Sequence, residues 1–147
     1  MSKHSNKGRS AHFEITPELE KAYRENQVMP NLELVEKLGI ESKIYADYIQ
    51  LALKHPEYFS SPKEAKEAVE YIFKNPKIAL RASKQEYKMI ISPLDDKYGA
   101  VVLDTRKRGG KHRVQSAHFI KQAQLEAKIK RLQSEGEPIL QFSYVNP

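Results

Sequence analysis

Residues Tyr87–Phe119 read Y-K-M-I-I-S-P-L-D-D-K-Y-G-A-V-V-L-D-T-R-K-R-G-G-K-H-R-V-Q-S-A-H-F. Tyr87–Ser92 and Ala100–Asp104 are apolar, β-branched runs, and Pro93–Gly99 between them is dense in turn formers. Gly109-Gly110 marks a second reversal, into a third strand over His112–His118. Connections this short exclude parallel crossovers, so the three strands are expected to form an antiparallel meander.

On the C-terminal side, Leu125, Ile129 and Leu132 fall at helical spacing within a helix over 121–134. Gly136-Glu137-Pro138 ends it, and Ile139–Tyr144 reads as a last strand. On the N-terminal side the pattern is helical. Thr16-Pro17 starts a first helix, ended by Met29-Pro30, and Asn31 and Gly39 bracket a second. Ser42–Lys54 carries Tyr45, Tyr48, Ile49 and Ala52 on one stripe and is stopped by His55-Pro56. Ser61-Pro62-Lys63-Glu64 opens a fourth helix with capping-box spacing, followed by Ala65, Ala68, Val69, Ile72 and Phe73 at i, i+3, i+4, i+7, i+8. The expectation is an α+β fold: N-terminal helices, then a small antiparallel sheet of about four strands with one inserted helix. The division expected is a flexible basic tail over 1–15, a helical region over 16–54 and a further unit over 55–147.

The 147 residues carry 25 Lys and Arg against 19 Asp and Glu, a net charge of +6, with no cysteine. That balance favours a polyanionic partner, nucleic acid above all. The lack of cysteine excludes disulfides and thiolate metal sites. No stretch approaches the roughly 18 apolar residues of a membrane span, and the basic N-terminus is no secretory leader. A soluble, cytoplasmic protein without membrane contact is expected.

Cations concentrate at the Gly-Gly reversal: Arg106, Lys107, Arg108, Lys111 and Arg113, with no acid among them. Strand alternation puts His112, Val114, Ser116 and His118 on one face. Two imidazoles and a hydroxyl beside a cationic mouth match what RNA cleavage through the 2′-hydroxyl requires. One group takes the 2′-OH proton, another protonates the 5′-oxygen, and cations stabilise the phosphoryl charge. Histidine suits both proton roles because its ordinary pKa is about 6.5. The same residues also fit plain phosphate binding, and two strand histidines are commonly cross-strand partners. Tyr144 and Ser143 would reach the site if the last strand lay beside the third. His55 reads as a helix C-cap. Asp95-Asp96 reads as a turn, and no nucleotide-binding loop or metal-ligand motif is present, so neither cofactor nor metal is expected.

Three stretches carry a resemblance: K-H-P-E-Y-F-S-S-P-K-E-A-K-E-A-V-E-Y-I-F-K-N-P (Lys54–Pro76), the pair Y-K-M-I-I-S and G-A-V-V-L-D, and H-R-V-Q-S-A-H-F-I-K (His112–Lys121). Together they resemble the small ribonucleases grouped with barnase, EndoU, the tRNA-cleaving colicins and RelE, in particular their phage-encoded branch. The resemblance implies a metal-independent endoribonuclease acting on RNA, tRNA included. Ser116 would have the hydroxyl role, His112 would be an acid/base, and Arg113 or Lys111 the phosphate-stabilising cation. His118 stands where that pattern more often has an aromatic residue. Arg106, Lys107, Arg108, Lys111 and Tyr144 would bind substrate. It further implies an immunity protein, antitoxin or phage head protein as partner, and a bacterial host cytoplasm or a virion as location. The competing expectation is a nucleic-acid-binding or virion-associated protein without catalysis, its phosphate contacts made by the basic loop and by Lys121, Lys128, Lys130 and Arg131. The catalytic reading requires His112 and Ser116 to face solvent together.

Overall fold

The computed structural model describes residues 13–143. Among them the element order is α1 (Pro17–Tyr23), β1 (Asn26–Val28), α2 (Leu32–Leu38), β2 (Ile44–Ala46), α3 (Tyr48–Lys54), α4 (Pro62–Lys74), β3 (Ile78–Arg81), β4 (Tyr87–Leu94), β5 (Lys97–Arg108), β6 (Lys111–Ile120), α5 (Gln122–Ser134) and β7 (Leu140–Gln141). The strands form one sheet in the order β1-β2-β6-β5-β4-β3-β7.

This corrects the expected architecture. The sheet is mixed and has seven strands rather than about four, and the helices are not confined to the N-terminal part. Two of the additional strands come from the region read as helical. Ile44–Ala46, taken as the start of a helix, pairs parallel with β6 at His112 and Arg113 and antiparallel with β1. Asp47 then caps the real helix by accepting from the Gln50 N–H. β3 follows Asn75-Pro76 and pairs with both β4 and β7.

β4, β5 and β6 pair antiparallel in chain order. The first reversal is tighter than Pro93–Gly99: β4 extends to Leu94, and Asp95-Asp96 makes the turn, Asp95 at φ 54°. The second is the two-residue Gly109-Gly110 turn, with φ of 62° and 77°, the positive pair that a hairpin of this twist needs.

Each face of the sheet has its own core. On one, Val69, Ile72 and Phe73 of α4 pack with Tyr48 and Ala52 of α3 onto Ile90, Val101, Leu103, Val114 and Ala117. Val28, Leu34 and Ile44 join the same cluster, so the N-terminal strands share that core. On the other face, Leu125 and Leu132 of α5 cover Ile78, Leu80, Ile91 and Ala100. Burying one such Val, Ile, Leu or Phe side chain contributes about 1.5–3 kcal/mol. α5 covers only part of its face, and beyond Arg113 the outer edge of β6 has no strand partner among the described residues. Those two openings position the site.

Candidate active site

β6 does not alternate throughout. Val102 lies opposite Ser116 and Leu103 opposite Val114, so Gln115 is an extra residue, a β-bulge. A bulge shifts the side-chain period by one. Val114, Ala117 and Phe119 therefore point to the α3/α4 core, as does His112 by alternation with Val114. Ser116, His118 and Ile120 point to the α5 face, opposite Val102, Ala100 and Tyr98 of that side.

The expected single face carrying His112, Val114, Ser116 and His118 is thereby corrected. His112 is 2% exposed. Its Nε2 accepts from the Glu41 N–H at 3.1 Å, its backbone N–H donates to the Lys43 carbonyl, and its Nδ1 is buried without a partner among the described residues. It joins β6 to the β2 segment and does not face solvent with Ser116.

The hairpin cations are likewise not free. The Asp104 carboxylate, 1% exposed, accepts from Arg106 Nε and Nη2, both at 3.0 Å, and lies 3.5 Å from Arg108 Nε. Those guanidinium contacts hold the Asp104 carboxyl below the usual carboxylate range. Lys107 pairs with Glu41, and Lys111 and Arg113 both pair with Glu25, a residue at φ 50°. Arg106, Lys107, Arg108, Lys111 and Arg113 are adjacent to no acid in sequence between 105 and 119, yet each meets one in space. They form separate surface ion pairs, which lessens their availability to phosphate.

The open cationic surface lies elsewhere. A cleft of about 420 Å³ runs between α5 and the β4–β6 face, walled by Gln115, Ser116, Lys54, Lys128, Arg131 and Tyr87. Lys54 Nζ, from the end of α3, donates to the Gln115 carbonyl at 3.0 Å and fixes the bulge. No carboxylate among the described residues is in ion-pair contact with Lys54, Lys128 or Arg131. Partial burial lowers the Lys128 pKa, and Arg131 and Arg81 lower it further. Such a surplus of positive charge favours an anion.

His118 stands beside this cleft. Burial first, then the positive fields of His55 and Lys128, push its pKa below the usual 6.5. His55 caps α3, its backbone N–H bound to the Leu51 carbonyl. Its ring lies 6.1 Å from that of His118, centroid to centroid, and 5.5 Å from that of Tyr58. Glu57 lies 3.0 Å from His55 Nδ1. A carboxylate only accepts, so the proton sits on Nδ1 and Nε2 is left to exchange one.

Sequence reading treated His55 as a cap and Lys54 as the last residue of a helix. The signal that could have linked them to the site was the His-Pro that ends α3, which directs the chain across the free edge of β6. Lys128 and Arg131 were legible as part of a basic helix. Tyr144 lies outside the described residues, while Ser143 hydrogen-bonds to Glu33 at the far edge of the sheet. A second cleft of about 360 Å³ between α4 and the β4–β5 turn is rimmed by Glu67, Asp95 and Asp96, an arrangement that repels phosphate. Among the described residues no group of three or more His, Asp or Glu is placed to hold a metal, and no helix is long and apolar enough to cross a membrane.

No family model matches the chain, and no curated protein or solved structure is significantly similar to it.

Proposed function

We propose that the protein is an RNA-cleaving enzyme whose reaction is centred on Ser116, which lines the α5-side cleft, and on His118 and His55 beside it, not on a His112/Ser116 pair at the hairpin. The observation that carries this reading is the 6.1 Å approach of the His55 and His118 rings near Lys128, which has no ion-pair partner among the described residues. The resemblance of 54–76 and 112–121 to small ribonucleases supports RNA cleavage and the role of Ser116, but its pattern more often has an aromatic residue at the position of His118.

The chemistry gives each ring one proton role. His118, held below its usual pKa, is neutral at neutral pH and accepts the 2′-OH proton. The 2′-oxygen attacks phosphorus, the P–O5′ bond breaks, and the departing 5′-oxygen takes a proton from His55 Nε2. The products are a 2′,3′-cyclic phosphate and a free 5′-hydroxyl. Ser116 donates to a phosphoryl oxygen, and Lys128 and Arg131 offset the charge that grows there. No step needs a metal ion.

The test is incubation with total RNA and tRNA in EDTA, followed by end-group analysis. Cyclic-phosphate ends that disappear in His118→Gln and His55→Gln support the reading. RNA that binds and remains intact leaves the second reading, nucleic-acid binding without cleavage, which the cations of the cleft favour by themselves.

A further inference from the structure

The cationic wall of the cleft accounts for phosphate, but its floor is of another kind. Ala82 and Met89 are buried and apolar, Val102 is half-buried, and together they line the same space as Ser116 and Lys128. Tyr87 closes one end, its ring engaged by Arg106 at 5.5 Å and Lys84 at 5.9 Å, which fixes its position. An apolar floor under a phosphate site has no use for phosphate alone. It matches the flat, apolar faces of a nucleobase, and about 420 Å³ lies within the range of about 300–1,000 Å³ typical of small-ligand sites.

Gln115 adds a carboxamide-bearing residue to that lining. Gln115 is the bulge residue, and a bulge re-aims a side chain out of the strand's alternation. Its carbonyl is already occupied by Lys54, so the backbone is fixed at a residue that lines the cleft. A carboxamide offers a donor and an acceptor in one plane, the complement of a base edge.

Resting on the reading that this cleft receives RNA, we propose that it seats one unstacked nucleobase, with Gln115 as the residue that selects it. The substrate class is then single-stranded or locally unpaired RNA. Paired A-form RNA hides its base faces in the stack, and its deep, narrow major groove excludes side chains.

Fluorescence anisotropy separates this from the cleavage reading. The probes are short labelled 2′-O-methyl homopolymers of A, U, C and G, which cannot be cleaved, and a 2′-O-methyl duplex, all at one salt concentration. The expected result is single-strand binding about tenfold or more tighter than duplex binding, consistent with an unpaired-base requirement. One homopolymer should be preferred by about fivefold or more, within the discrimination a good side-chain–base pair supplies. Gln115→Ala should level that preference while Lys128→Ala weakens all strands alike. Equal binding of duplex and single strand overturns the proposal, as does a preference unchanged in Gln115→Ala, or no binding at all. Cleavage of unmodified RNA is read separately. Its absence alongside a Gln115-dependent preference defeats the enzymatic reading and supports the base seat.

Discussion

The rings of His55 and His118 lie 6.1 Å apart, one at the C-cap of α3 and the other on β6. They meet because β2 pairs with β6 only at His112 and Arg113, which leaves the rest of that edge to the end of α3. The bulge at Gln115 then turns His118, with Ser116, toward α5 instead of the core.

The depressed pKa of His118 makes stability depend on pH. Between its folded value and the ordinary value of about 6.5, the unfolded chain binds more protons than the folded one, so stability rises with pH across that window. The difference in unfolding free energy between wild type and His118→Gln should therefore shift against the wild type as pH falls from 6.5, then level off below the folded value. Denaturant titrations across this range check it, and a constant difference would contradict it.

Cations that meet phosphate reveal themselves in salt dependence. For a single strand, each contact adds about 0.7 to the slope of log K against log salt. Lys128→Ala and Arg131→Ala should each lower the slope by about that amount. Lys107→Ala, whose ammonium is already paired with Glu41, should leave it nearly unchanged. Anisotropy titrations at several salt concentrations distinguish the two surfaces.

Asp104 is the anchor of Arg106 and Arg108 in the hairpin. Asp104→Asn should cost about 1.5–3 kcal/mol at neutral pH, the scale of hydrogen bonds to charged groups. Because the folded carboxyl has a lowered pKa, that contribution is present above the unfolded value and lost as pH falls through the folded one. The stability curves of wild type and variant should converge in acid.

Gly99 lies where β5 passes under α4. A Cβ there would meet Leu94 Cδ1 at 2.6 Å and Ile72 Cδ1 at 2.8 Å. Gly99→Ala should destabilise by about 1–3 kcal/mol, the usual cost of overpacking, with unfolding midpoint as the readout.

What the sequence disclosed was local. The caps of α2 and α4, the meander strands and the Gly109-Gly110 reversal all rest on residues within a few positions of each other. What it concealed was long-range. β1 and β2 are three residues each and exist through their partners; Ile44–Ala46 also fits a helical stripe. β3 is a four-residue run that is apolar but for Arg81, without alternation. The Gln115 bulge has no glycine to announce it, and it alone decides which histidine joins Ser116. The acids that occupy the hairpin cations, Glu25 and Glu41, are remote in sequence, so a basic run read as open proves to be paired.

The most direct test places the reaction in the cleft or at the hairpin. RNA cleavage in EDTA is measured for wild type, His118→Gln and the double variant Lys107→Ala/Arg108→Ala, each confirmed folded. The account predicts a loss of about 100-fold or more for His118→Gln, the scale of one general acid–base group, with near wild-type cleavage by the double variant. Wild-type cleavage by His118→Gln, with loss in the double variant, would contradict it.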